Sequence, residues 1–347
     1  MMSDKVCGPL ANRYTDLVGI RHPVVQEGMG PFGTTRLAAA VSNAGGLGTV
    51  SVPGTDGDLH AAAAELRRSI EECATRTTAP FAVNIPVGHD RNGGIATFAR
   101  IYLEAVFAAR RADAGIASRL RVLTTSAGFP VGLTARIHDE GMIHQHKVGA
   151  TRHAVKAVEA GVDVVIAAGS EMGGHAPASG MHTFVLVPNV AAAVDVPVVL
   201  TGGVRDGRGL AAALCLGADA VALGTRFAAT TDNTEWHPAY RDALVAAKEG
   251  DDLLIDGVFG PCRMLRNPAA EKMRTGTVPQ AEKIAAMRRA QIEGDTDNGL
   301  VLMGQVASGI SDVVTVAEYL PRIVDEAAEI LASVQPSPNT PMKGYKR

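Results

Sequence analysis

Eight short apolar runs recur along the first two thirds of the chain, at 23–26, 47–51, 81–84, 120–125, 142–147, 163–167, 197–200 and 219–223. They read as uniformly apolar rather than alternating, as in "DVVIA" and "PVVL", the pattern of strands covered on both faces. Ala-rich amphipathic stretches separate them at 34–44, 57–75, 95–114, 131–140, 150–160 and 206–216. A weaker apolar segment, 184–194, follows a Gly-rich loop. This alternation predicts an α/β fold with a parallel sheet. A doubly wound sheet could hold eight strands, but their number and even spacing favour a closed (β/α)8 TIM barrel.

The alternation stops after Phe227. Residues 231–310 are charged and helix-forming with Pro and Gly breaks, so a smaller helical substrate or lid subdomain is expected beside a barrel spanning 1–230. An amphipathic helix at 315–334, within a segment 311–335, is expected to return and complete the barrel, and the tail 336–347 reads as disordered.

Composition narrows the partners. The 347 residues carry a net charge of −3 with 46% apolar and 20% charged residues, which argues against nucleic acid or an anionic membrane surface and for a small-molecule substrate. Four cysteines without a C-x-x-C pair suit a reduced, cytoplasmic chain. No basic segment leads into an apolar core, and no apolar run approaches the ~20 residues that span a bilayer. Self-association is left open.

Chemistry concentrates where strands end. "VVLTGGVRDGRG" places Gly202 and Gly203 after the seventh run, and "AVALGTRF" places Gly224 and Thr225 after the eighth. Side by side on the C-terminal face, two such turns and a helix N-terminus can hold a phosphate group through backbone amides. Arg205 and Arg208 would add positive charge. A phosphate there belongs to a substrate or to flavin mononucleotide (FMN). After the sixth run, "GSEMGGHAP" sets His175 beside Gly173 and Gly174, where a neutral imidazole could take a proton from a C–H acid or give one to a reduced product. Lys147, ending the fifth run, could stabilise negative charge on a reduced flavin. Asn84, ending the third, could hydrogen-bond the flavin's ring edge or ribityl chain.

His144 and His146 form an H-x-H on one side of a strand, better read as structural than as a metal pair, and no metal is expected. Trp236 and Tyr240 are candidate contacts for a flat substrate, with core packing at least as apt. Arg263, Arg266, Lys272, Arg274, Lys283, Arg288 and Arg289 give the lid a basic bias that would suit an anionic tail such as a nucleotide thioester.

Gly28, Gly30 and Gly33 in "QEGMGPFG" match the dinucleotide-binding G-x-G-x-x-G spacing. Pro31 breaks that fingerprint where its helix should begin. The acidic residue the motif needs is also missing, since the next are Asp56 and Asp58, outside the second strand. The loop reads instead as a β1 turn passing close to a planar ring.

The pieces "HPVVQEGMG", "AAAVSNAGGLGTVS", "FAVNIP", "KVGATRHAVKAVEAGVDVVIA", "GSEMGGHAP", "TGGVRDGRGLAAALCLGADAVALGTRF" and "GDTDNGLVLMGQVASGI" occur in order over about 15–335. Together they resemble the nitronate monooxygenase family. These are FMN-dependent TIM barrels that also include FMN-containing enoyl reductases and NADH:quinone reductases. The resemblance implies that the Gly202-Gly203 and Gly224-Thr225 turns hold the FMN phosphate. It also implies that Gly28, Met29, Asn84, Lys147 and Gly174 line the flavin and that His175 is the active-site base. It implies an oxidoreductase that oxidises alkyl nitronates with O2, a nitronate giving one electron to FMN before carbonyl product and nitrite are released. Oxygenase members typically carry Gln-Ala-Pro-Met on the first strand; this chain has Gln26-Glu27-Gly28-Met29. That form, with "GDTDNG…GQ", is closer to the branch that takes hydride from NADH or NADPH and reduces a quinone or an enoyl thioester.

Overall fold

The structure, a computed structural model, describes residues 8–54, 57–90 and 92–334; the expected tail at 336–347 lies outside the described residues. Eight strands run parallel: β1 (Val24–Gln26), β2 (Gly48–Ser51), β3 (Phe81–Pro86), β4 (Leu120–Ser126), β5 (Ile143–Val148), β6 (Val164–Ala168), β8 (Val198–Thr201) and β9 (Ala220–Leu223). Between β6 and β8 the chain forms a two-residue strand, β7 (Gly174–His175), that belongs to a separate sheet. The eight pair in the order β1-β9-β8-β6-β5-β4-β3-β2, and a single bridge from Val25 to Leu47 joins β1 to β2. The chain is a TIM barrel.

That closing seam is short of backbone hydrogen bonds, and a side chain extends it. The Gln26 amide donates from Nε2 to the Thr49 carbonyl at 3.0 Å and accepts from the Thr49 N–H at 3.4 Å. Gln26 is fully buried, so its amide continues the ladder where strand pairing stops.

Alternation along each strand sorts residues into two cores. Val25, Ala82, Val122, Val164, Ile166, Val199, Ala220 and Ala222 face the barrel axis. Val24, Val165, Ala167, Val198, Leu200, Val221 and Leu223 face the helices. The small inward residues leave room for a plug. A short helix, Arg13–Val18, opened by an Asn12 capping box, carries Tyr14 into the barrel, where its hydroxyl donates to Gln145 Oε1 at 2.8 Å. This helix lies outside the elements expected from apolar periodicity, although "NRYT" carries its capping signal.

The helix Val316–Val334 packs on the helix Gly207–Cys215 that follows β8. A Cβ at position 207 would lie 2.5 Å from Glu326 Cβ, so only glycine permits this approach.

The 231–310 segment departs from the helical expectation. It holds helices Pro238–Ala246, Pro268–Arg274 and Gln280–Gln291, and also a hairpin of β10 (Asp252–Asp256) and β11 (Pro261–Leu265). β11 pairs with β7, setting Cys262 opposite His175 and Arg263 opposite Gly174. A hairpin alone is marginal; it persists because a loop nearly ninety positions earlier supplies the third strand, which local propensity does not reveal. Among the described residues no helix is long and apolar enough to cross a membrane.

Gln26→Ala removes the Gln26 partner of the Thr49 N–H and leaves the Thr49 carbonyl with the Thr34 hydroxyl at 3.4 Å. The expected loss is about 1–3 kcal/mol, read as a lower urea midpoint with unchanged slope. An unmoved midpoint would show that the Val25–Leu47 bridge closes the barrel unaided.

Candidate active site

The C-terminal ends of the strands open into one cavity of about 1240 Å³. Gly28, Met29, Asn84, Lys147, Gly174, His175, Gly202, Gly203, Gly224 and Thr225 all line it. The ten residues singled out from the sequence are thus brought together on one face.

β8 and β9 are hydrogen-bonded neighbours, with Thr201 beside Ala222, so the turns that follow them lie side by side. Gly202 and Gly203 have φ of +101° and +82°, two consecutive left-handed positions that side chains disfavour. Gly224 lies against Glu27 and Met29, which an added Cβ would meet at an ordinary contact distance of 3.7 Å.

The helix N-terminus expected to help hold a phosphate is already taken. Asp206 caps the helix Gly207–Cys215 by accepting from the Gly209 N–H at 3.0 Å, and Glu326 accepts from the Gly207 N–H at 2.9 Å. Arg205 and Arg208 do not line the cavity; Arg205 belongs to a separate polar cleft of about 250 Å³. Any phosphate cradle here rests on the glycine turns.

The first-strand loop shows the same competition. The Glu235 carboxylate accepts from the Thr35 and Arg36 N–H groups at 3.0 and 2.9 Å. It fills the helix start where a dinucleotide's pyrophosphate would sit, and burial raises its pKa. Gly28 is needed because a Cβ would lie 2.5 Å from the Asn84 side chain. Met29 N–H donates to Ser51 Oγ at 2.8 Å, and Ser126 Oγ donates to Asn84 Oδ1 at 3.3 Å.

Lys147, expected as a cation facing a flavin ring, forms an ion pair with Glu27. The side chains are 15% and 8% exposed. The sequence reading noticed Glu27 as a departure from the oxygenase motif but not as a partner for Lys147.

His175 sits on β7 with its ring 5.3 Å from that of Phe259 at the hairpin tip. Its Nε2 accepts from the Val258 N–H at 3.0 Å, which assigns the proton to Nδ1. Burial, helped by the Lys147 and Lys283 cations, lowers its pKa to about 4. The imidazole is therefore neutral at ordinary pH. It offers an Nδ1–H donor, while its basic lone pair is already engaged.

His144 and His146 share the Thr125 hydroxyl, each at 2.8 Å, and Thr134 meets His144 Nδ1 at 3.0 Å. Burial lowers their pKa to about 3 and about 4. Trp236 and Tyr240 line the cavity from a packed cluster, their rings 4.9 Å apart.

None of the seven basic lid residues lines the cavity. Arg263, Arg266, Arg274, Lys283 and Arg288 pair with Asp252, Glu271, Glu271, Asp256 and Glu293, and Arg289 donates to the Asn298 carbonyl. Positive charge at the mouth comes from elsewhere. Arg152 and Lys156, on the helix Thr151–Glu159 after β5, are exposed cavity residues without a carboxylate partner among the described residues. Sequence periodicity could have found them, since they stand four apart on one helix face.

The fold and site are those of an oxidoreductase. A family model for nitronate monooxygenase matches residues 11–326, and the chain belongs to this family. It is 37% identical over 273 residues, covering 77% of this chain and 70% of the relative, to "(3aS,4S,5R,7aS)-5-hydroxy-7a-methyl-1-oxo-octahydro-1H-indene-4-carboxyl-CoA dehydrogenase" of Mycobacterium tuberculosis. A "Probable nitronate monooxygenase" of Staphylococcus saprophyticus is 31% identical, covering 76% of this chain and 81% of the relative. The structure of FabK from Thermotoga maritima matches with a TM-score of 0.82 at 34% identity, covering 93% of this chain and 98% of that one.

Three histidines with depressed pKa, buried His144 and His146 and half-buried His175, predict acid lability. Each imidazole in the unfolded chain gains its proton near pH 6.5, whereas the folded rings resist until about 4, 4 and 3. The unfolded state therefore binds more protons between those limits. Stability should be full above pH 6.5 and fall on acidification toward pH 4, by up to about 1.4 kcal/mol per pH unit for each histidine. Thermal melts between pH 7 and 4.5 test this; a constant Tm would contradict neutral rings.

Proposed function

We propose that the protein is an FMN-dependent oxidoreductase whose organic substrate is a coenzyme A-type thioester, with NADH or NADPH as the reductant. The observation that carries the reading is a single cavity joining the paired glycine turns to His175, with room beyond one ligand: sites for drug-sized molecules span about 300–1,000 Å³, against about 1240 Å³ here. The residues fit the cofactor. Adjacent turns with left-handed glycines leave amides for a phosphate, with Glu27 and Met29 in ordinary contact beside Gly224 and Glu171 beside Gly203, and Asn84 edges the same space.

When bound, FMN supplies the means of accepting and returning a hydride. The chain's own residues would bind and orient the substrate. The Nδ1–H of neutral His175 donates to the substrate's carbonyl-type oxygen as negative charge develops there. The hairpin fixes that ring through Val258 and sets Phe259 over it, limiting water. Arg152 and Lys156 meet the anionic nucleotide tail at the mouth. As like charges four residues apart in the first turns of a helix, they weaken that helix rather than support it.

A second reading, oxidation of alkyl nitronates by O2 to a carbonyl compound and nitrite, draws on the family and the staphylococcal relative. The same Nδ1–H would meet a nitronate oxygen. Neutral nitroalkanes fit less well, because the lone pair needed to deprotonate them is held by Val258 N–H. Anaerobic mixing separates the readings: bleaching of the flavin by NADH or NADPH but not by propionate 3-nitronate favours the reductase, and the reverse outcome favours the oxygenase.

Gly224→Asp should fold normally, since its Cβ meets Glu27 and Met29 no closer than 3.7 Å, yet lose FMN by at least about a hundredfold through repulsion of the phosphate. Retained yellow colour would remove the phosphate from these turns. Arg152→Glu combined with Lys156→Glu should raise KM for a CoA thioester about tenfold or more, with the matching pantetheine thioester unchanged. Equal effects on both would dismiss the nucleotide contact.

A further inference from the structure

Glu27 follows β1 and Lys147 lies near the end of β5, four strands away in either direction around the closed ring. The two are diametrically opposed. Alternation turns both inward, because Val25 faces the axis two positions before Glu27 and Gln145 meets Tyr14 two positions before Lys147. Their side chains therefore cross the barrel mouth and join over its axis, on the floor of the cavity.

Stability alone does not account for such a pair. Desolvating two charges costs several kcal/mol per ion, and apolar residues of similar size commonly do as well. This pair is also incompletely satisfied: Glu27 Oε1 is buried with no hydrogen-bond partner among the described residues. Other polar inward side chains are neutral and partnered, as where the Gln145 amide donates to Thr124 Oγ1 at 3.2 Å. What the pair does achieve is electrostatic. A lysine alone on this floor would favour any ligand that gains negative charge, whereas a lysine held by a carboxylate presents almost no net charge.

We propose that Glu27 is a positioning residue that holds Lys147 across the barrel mouth and cancels its charge, so that a flavin bound above meets a neutral pair and its reduced, anionic form gains little from the floor. The inference rests on the FMN reading given above. It names a determinant of reducing power: a flavin whose reduced state is not stabilised passes its electrons on more readily, which suits a thioester reductase.

The test compares affinity for reduced and oxidised FMN, read from the two-electron midpoint potential of the holoenzyme by equilibration with a reference dye at pH 7. Glu27→Gln keeps the shape and removes the charge. It should raise the reduced-over-oxidised affinity ratio at least tenfold, a positive shift of about 30 mV for two electrons. Glu27→Ala should move the potential in the same direction, guarding against a fault peculiar to glutamine. Combining Glu27→Gln with Lys147→Met should restore the ratio to within about threefold of the parent. Unmoved potentials in folded, yellow single variants would overturn the charge-cancelling role while leaving the flavin reading intact. A parent protein that binds no FMN would overturn both.

Discussion

In a closed barrel each strand has one face toward the axis and one toward the helices, and a shift of one residue exchanges them. That constraint decides nearly everything at this site. On β5 it sends Gln145 and Lys147 inward, the first to the Tyr14 plug and the second to Glu27. It sends His144 and His146 outward, where the Thr125 hydroxyl holds both rings. Four consecutive polar residues in the middle of a strand would otherwise look like an error of burial. Each is satisfied on its own side of the wall.

The strands were legible because burial on both faces leaves short apolar runs that nothing else produces at this spacing. The expected run at 163–167 became Val164–Ala168, and that at 219–223 became Ala220–Leu223. The glycine turns were legible for a related reason: strand ends converge on one rim, so glycine there marks close approach. What stayed hidden depends on partners far away in sequence. β7 exists only because β11 lies beside it. The Glu27–Lys147 pair needs the barrel closed before two residues 120 positions apart can meet.

Helix starts taught a sharper lesson. A helix N-terminus attracts anions whether they come from a ligand or from the protein. Here Asp206 and Glu326 close one, and Glu235 closes another. Neither capture is visible locally, except for the Asp206 cap, which stands directly before its helix. The basic lid shows the same capture, since five of its seven cations pair with neighbouring carboxylates and Arg289 donates to a backbone carbonyl.

These captures separate two electrostatic tasks. On the proposed reading, charge that recognises an anion sits at the rim, where Arg152 and Lys156 are exposed and Lys156 lies over the Phe129 ring at 4.4 Å. Charge beside the reacting atoms is different, because the low dielectric of a closed floor enlarges every imbalance. Neutral His175 and the cancelled Glu27–Lys147 pair keep that floor near zero. On the proposed flavin reading, a substrate tail is drawn in by its charge without that charge setting the energetics of electron transfer some distance below. A lone lysine on the floor would couple the two tasks, and Glu27 is the residue that keeps them apart.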